Sequence, residues 1–279
     1  MSSAKHSGGA FTTTRHVTSY EFISPLKLYL TGKNVLLTGA TYEDGMPEAL
    51  IEKLKVAATD SGRQAPSILS FVVDISDSAS VQAMHSQLAQ HFNRHLDILV
   101  NNAAFQEPYK LFLHSDPNDY WRVWEVNMRG LFNTARTFLP MQLAARADGS
   151  LCTMINLSSS GGLSPRQENG SYRTSKLAVL RWSETLQLEY GDQGLLAYCV
   201  NPGAIKTPMS KALPDSIRDL LPDKPDIAGD TIFWLAANRK EWLAGRYVSC
   251  PWDMEELLAK KDEIVEKDLL KMRMDVGQN

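Results

Sequence analysis

The amino-acid sequence predicts an α/β fold, a doubly wound parallel sheet of six strands in a single domain. Two patterns carry that expectation. Short apolar runs alternate with stretches whose apolar residues recur at helical period, and each run is apolar at consecutive positions rather than at every second one. Consecutive apolar residues suit a strand buried on both faces. Their alternation with helices places the strands parallel, with helices above and below. The 279 residues, 43% of them apolar, suffice for one such domain.

Residues 1–18 are rich in Ser, Thr and Gly and are expected to form a disordered tail, followed by a mixed lead-in over 20–30. The first strand is 34–38 (Asn-Val-Leu-Leu-Thr), broken at Gly39, and a helix follows over 46–58 with Pro47 in its first turn. Residues 68–73 (Ile-Leu-Ser-Phe-Val-Val) read as the second strand, ending at Asp74. Then come a helix over 78–92, a strand at 96–100, a long helix over 119–144 and a strand at 151–157. A helix over 171–190 leads to a strand at 195–200, a helix near 228–236 and a short sixth strand at 246–249. A polar amphipathic helix over 254–272 ends a domain expected to span 19–279, with its helical tail from about 252.

Composition narrows the function. With 29 basic and 32 acidic residues the net charge is −3, which supplies no basic footprint for nucleic acid or an anionic membrane. Cys152, Cys199 and Cys250 suit neither a zinc site nor a disulfide framework, and the first two fall in apolar runs as small hydrophobes. No segment reaches the ~20 apolar residues of a membrane span, and no run of signal-peptide type occurs near the N-terminus. A soluble, cytoplasmic protein is therefore expected. His91 and His95 stand at i and i+4 but lack a third ligand, so no metal is expected and they read as surface residues. The six tryptophans read as core or interface, and the sequon at Asn169 as irrelevant inside a cell.

The chemistry concentrates in the middle of the chain. In Tyr172-Arg-Thr-Ser-Lys176 the tyrosine and lysine share one helix face at i and i+4. Ser159 stands thirteen residues earlier, at the carboxyl end of a predicted strand, where ligands of such sheets bind. A lone Tyr-x-x-x-Lys is an ordinary surface pair more often than a site. Here it has company: Asn101-Asn102-Ala103-Ala104 after a buried strand, Asn127 in Val-Asn-Met-Arg-Gly, Asn201-Pro-Gly-Ala-Ile205-Lys-Thr207 after another, and Asp74.

In that order these motifs resemble the short-chain dehydrogenase/reductase family, from about Gly32 to Val248, and the tail from Trp252 looks like its branch in fungal secondary metabolism. The resemblance implies a Rossmann-like fold, NADP or NAD as cofactor, a small-molecule substrate, and a dimer or tetramer. It implies Tyr172 as proton donor or acceptor to the substrate oxygen. Lys176 would favour the phenolate and hold the nicotinamide ribose, Ser159 would donate to the substrate carbonyl, and Asn127 would order a water on the proton path. Gly39, Asp74 and Asn101 would lie toward the pyrophosphate and adenosine, and Ile205 and Thr207 beside the nicotinamide.

Two departures complicate the dinucleotide side. The first loop reads Thr38-Gly39-Ala-Thr-Tyr-Glu43-Asp-Gly45-Met46, which puts a carboxylate where the family has its second glycine. A looser Gly39-x5-Gly45 spacing can still present amides at a helix N-terminus. Between Thr38 and Asp74 the chain holds one helix where the family holds helix, strand and helix, a shortfall of roughly twenty residues. Three readings follow: a shortened cofactor half-site, a cofactor-independent lyase, isomerase or cyclase using the same side chains, or a mis-spliced gene model. In the collapsed sheet expected here, 68–73 pairs directly with 34–38 and brings Asp74 beside the glycine loop.

Overall fold

The computed structural model of the chain describes residues 8–40 and 47–274. Its centre is one parallel sheet of five strands: β1 (Val35–Leu37), β2 (Ile98–Asn101), β3 (Thr153–Leu157), β4 (Leu196–Asn201) and β5 (Tyr247–Ser249). They lie side by side in chain order, with Leu36 opposite Leu99, Leu99 opposite Met154, Met154 opposite Ala197 and Val200 opposite Val248. Helices α1 (Pro47–Asp60), α2 (Ser78–His91), α3 (Pro117–Trp124), α4 (Leu131–Arg146), α5 (Gly170–Tyr190), α6 (Asp215–Arg218) and α7 (Pro225–Ala237) alternate with the strands. Two short helices, α8 (Met254–Ala259) and α9 (Lys261–Glu266), follow β5.

The consecutive apolar residues are buried on both sides of the sheet. Ile98, Val100, Ile155, Leu157, Tyr198 and Val200 join one cluster with Val179 and Leu180 of α5 and Ile227, Trp234 and Leu235 of α7. The intervening Leu36, Leu99, Met154 and Ala197 pack on Val81, Met84 and Leu88 of α2 and on Ala135, Phe138 and Met141 of α4. Successive strand residues point to opposite faces, so a doubly covered strand needs an apolar residue at every position.

The α/β class holds, but only five of the six expected strands form, and the missing one is the second. Residues 68–73 are irregular, without a backbone ladder to β1, and Val72 is fully exposed. Among the described residues no strand pairs with the outer edge of β1. Val35 and Leu37 are 43% and 50% exposed there, and none of the described side chains of α1 is buried. An apolar run becomes a strand only where a neighbouring strand and a covering layer both await it, and beside β1 the described side chains of α1 provide no buried cover.

Three further expectations change. The long helix over 119–144 is α3, a π-helical turn (Glu125–Gly130) and α4, and the tail over 254–272 is two short helices with irregular chain after them. The disordered tail expected over 1–18 does not hold from Gly8 onward. Gly8 accepts from the Trp252 indole N–H at 2.9 Å, and Arg15 bridges antiparallel to Trp252. The N–H groups of Thr13 and Thr14 donate to the Glu256 carboxylate at 2.6 and 3.0 Å, and that of His16 to the Pro251 carbonyl at 2.9 Å. Ile23, in a 3₁₀ turn just beyond, is wholly buried in the core.

Candidate active site

The site forms where β3 ends and α5 begins. Residue 169 takes a left-handed backbone (φ 55°) and gives α5 no side-chain cap. The cap comes instead from Glu107, buried in the loop after β2, whose carboxylate accepts from the N–H of Ser171 at 2.9 Å and of Tyr172 at 3.1 and 3.2 Å. A negative group at a helix N-terminus meets both the unpaired N–H groups and the helix dipole. Asn169 Nδ2 donates to the Glu107 carbonyl at 3.1 Å, tying the same loop to the helix start. Sequence reasoning missed Glu107, because no motif or spacing links a loop acid to a helix sixty residues later.

From this fixed first turn, Tyr172 and Lys176 face the end of β3. The Lys176 ammonium donates to the Leu157 carbonyl at 2.8 Å and lies 5.7 Å from the centre of the Tyr172 ring. Ser158 Oγ donates to the Lys176 carbonyl at 2.6 Å, fastening the strand end to the helix. Ser159 Oγ accepts from the Gly161 N–H at 3.0 Å and lies close enough to the Tyr172 hydroxyl to favour its phenolate. Asn127 sits in the π-helical turn, a feature often found at functional sites. Its amide accepts from the Phe105 N–H at 2.8 Å and donates to the Phe105 carbonyl at 3.0 Å and to Ser175 Oγ at 2.9 Å. It thereby joins the loop after β2 to α5.

Burial governs the acid–base character of the pair. It pushes the Tyr172 phenol up to about 12, against the Ser159 hydroxyl and Arg173, which pull it down, and with Tyr109 and Glu107, which push it further up. The same cause lowers the Lys176 ammonium to about 8. The anticipated lowering of Tyr172 by Lys176 is thus not the governing effect, and the Ser159 hydroxyl is the main influence favouring the phenolate.

The residues expected around a dinucleotide divide. Gly39 lies at φ +73° against the loop after β2, where a Cβ would stand 2.5 Å from Ala103 Cα, so only glycine fits. Thr38 Oγ1 accepts from the N–H groups of Asn102 and Ala103, both at 3.1 Å, locking the ends of β1 and β2 together. Asn101, expected beside the adenosine, turns its side chain inward. It donates to Asn156 Oδ1 and accepts from Thr134 Oγ1, both at 2.8 Å, so its amide is committed to the core. Asp74, expected beside the glycine loop, accepts from the Ser76 N–H and hydroxyl at 2.9 and 2.7 Å and pairs with Arg122 at 3.3 Å, ahead of α2. Glu43, Gly45 and Met46 lie outside the described residues. Ile205 and Thr207 follow β4, and an open groove of about 660 Å³ beside Thr207 is lined by Lys206, Pro208, Ser210, Lys211 and Arg218. No cluster of metal-ligating side chains and no helix long and apolar enough to cross a membrane occurs among the described residues.

This arrangement is that of a Rossmann-like oxidoreductase, and the comparisons agree. The model of the short chain dehydrogenase family matches residues 33–218. The chain is 33% identical to the short chain dehydrogenase mpl6 of Monascus purpureus, over 96% of this chain and 97% of that protein. With andI of Emericella variicolor, also a short chain dehydrogenase, identity is 34% over 79% of this chain and 74% of that protein. Among solved structures, the 3-ketoacyl-(acyl-carrier-protein) reductase of Brucella melitensis, complexed with NADH, superposes with a TM-score of 0.65 at 26% identity, over 78% of this chain and 96% of that one. The chain belongs to the short-chain dehydrogenase family, alongside its fungal members. The mpl6 alignment runs to 288 positions, more than the 279 residues of the chain, so that relative has residues without a counterpart here.

Proposed function

We propose that this protein is an NAD(P)-dependent oxidoreductase that interconverts a carbonyl and a secondary alcohol on a small secondary-metabolite intermediate, working in the cytoplasm as a dimer or tetramer. The observation that carries this reading is the convergence of Tyr172, Ser159 and Lys176 at the carboxyl end of β3. In reduction, Tyr172 gives its phenolic proton to the oxygen of the substrate carbonyl. Ser159, beside Tyr172, donates to the same oxygen as charge develops on it. Lys176 keeps two N–H groups beyond the one given to Leu157, and these serve the nicotinamide ribose. Asn127 holds the helix that carries both and lies on the path by which Tyr172 is reprotonated.

NAD(P)H, when bound, supplies the hydride that makes the carbonyl an alcohol. The residues present fit its nicotinamide half, with Ile205 and Thr207 at its flank. They fit its adenosine half less well, because Asn101 and Asp74 are engaged elsewhere and β1 has an open edge. That open edge favours a second reading, a cofactor-independent lyase, isomerase or cyclase in which Tyr172 is the acid–base and Ser159 the oxyanion donor. Titration with NADPH and with NADH, followed by nicotinamide fluorescence, separates the two. Saturable binding is expected, and no binding of either at millimolar concentration favours the second reading.

A further inference from the structure

The N-terminal arm is the largest feature that the proposed chemistry leaves unused, and it reaches the loop after β4. Arg15 donates from Nη2 to both carboxylate oxygens of Asp223, at 3.1 and 2.9 Å. The Asp223 side chain is fully buried, while that of Arg15 is half exposed. The same carboxylate accepts from the Ala204 N–H at 2.6 Å, and the Asp223 N–H returns a bond to the Ala204 carbonyl at 3.1 Å. Ile205 and Asp223 form a parallel bridge, and the Lys224 N–H donates to the Val17 carbonyl of the arm at 2.7 Å. Gly203 completes the anchor at φ +107°, where a Cβ would lie 2.7 Å from Asp223 Oδ2.

A buried carboxylate is costly without a cation and hydrogen-bond donors. Asp223 has two donors of different origin, a guanidinium from the arm and a backbone N–H from the loop. The arm and the loop are therefore held by one group. Between them a cavity of about 90 Å³ is walled by Arg15, Gly203, Ser249 and Trp252, and by Ser160, the neighbour of Ser159.

We infer that Arg15 is a positioning residue: through Asp223 it orders residues 203–207, and so couples the seating of the N-terminal arm to dinucleotide affinity. The inference rests on the oxidoreductase reading, under which Ile205 and Thr207 flank the nicotinamide. A merely structural arm would lower the melting temperature and leave affinity unchanged at temperatures where the protein stays folded.

The test uses the full-length protein and its Arg15→Ala and Arg15→Lys variants, at a temperature well below unfolding. Two quantities are read: NADPH dissociation constants by fluorescence, and amide hydrogen exchange of peptides covering 203–207 and 172–176. Arg15→Ala is expected to weaken NADPH binding about tenfold, within the range usual for coupled sites. It should also speed exchange over 203–207 while leaving 172–176 unchanged. Arg15→Lys, which keeps the charge but loses the fork, is expected to fall between. Unchanged exchange over 203–207 overturns the clamp. Faster exchange with NADPH affinity within twofold of wild type overturns its link to the cofactor. A wild type that binds neither NADPH nor NADH overturns the oxidoreductase reading, and the exchange data then still decide whether the clamp exists.

Discussion

At Tyr172, burial keeps the phenol protonated far above neutrality, up to about 12, so the residue is set to give a proton rather than take one. Under its proposed role, Tyr172→Phe removes only the hydroxyl and should leave the fold intact. Reduction of a responsive carbonyl, followed through NADPH consumption, is expected to fall by 10²–10⁴-fold. A variant retaining more than about a tenth of the rate contradicts the role. Lys176 gives a prediction that needs no substrate. Lowered to about 8, it is charged below that pH and neutral above it, so its charge-assisted hold on a ribose is full below pH 8 and lost as pH rises through it. NADPH affinity should therefore weaken between pH 7 and 9. Fold stability moves the other way. Burying the ammonium disfavours the folded state below about 8, and the penalty fades as pH climbs toward the 10.5 of a free lysine. A loss of binding in that window therefore does not come from Lys176 destabilising the fold, and circular dichroism over the same range checks that the protein stays folded. Affinity constant from pH 7 to 9 would remove Lys176 from the cofactor site.

At the scale of elements, helix α5 depends on Glu107. Glu107→Ala leaves the N–H groups of Ser171 and Tyr172 unpaired in a buried place, which should cost about 1–3 kcal/mol of stability. Glu107→Gln keeps one acceptor oxygen and should cost less. Urea unfolding monitored by circular dichroism measures both, and a Glu107→Ala protein as stable as wild type would show that the cap is dispensable. The helix itself was legible in the sequence from its helical period, and β1 to β5 from their consecutive apolar residues. The set Tyr172, Lys176, Ser159 and Asn127 is proposed from motif order, and the structure brings all four to one end of α5. What the sequence hid depends on distant partners. Glu107 meets α5 only in three dimensions, and the π-helical turn around Asn127 reads as uninterrupted helix because a single wider turn is too short to leave a visible break in the apolar period. The run at 68–73 has every local property of a strand and lacks only a place in the sheet.

At the scale of the whole molecule, that vacancy has a functional consequence. In a doubly wound sheet the first strand normally has neighbours on both sides, and the acidic or basic group that reads the ribose 2′ position stands beyond the first βα unit. Here β1 pairs only with β2 among the described residues, its outer side chains Val35 and Leu37 face outward, and Asp74 is engaged by Ser76 and Arg122. With Asp74 engaged elsewhere, under the proposed cofactor role a 2′-phosphate and a 2′-hydroxyl are expected to meet much the same surroundings. NAD and NADP should therefore be poorly distinguished, with dissociation constants for NADH and NADPH less than ~100-fold apart, about 2.7 kcal/mol. The adenosine half should also add little. Reduced nicotinamide mononucleotide, which lacks it, is expected to bind within about tenfold of NADH, a difference of ~1.4 kcal/mol. Parallel fluorescence titrations with the three ligands read both quantities. A strong preference for one dinucleotide, or a mononucleotide bound a thousandfold more weakly than NADH, would mean that a specific adenosine site exists and that residues other than Asp74 and Asn101 build it.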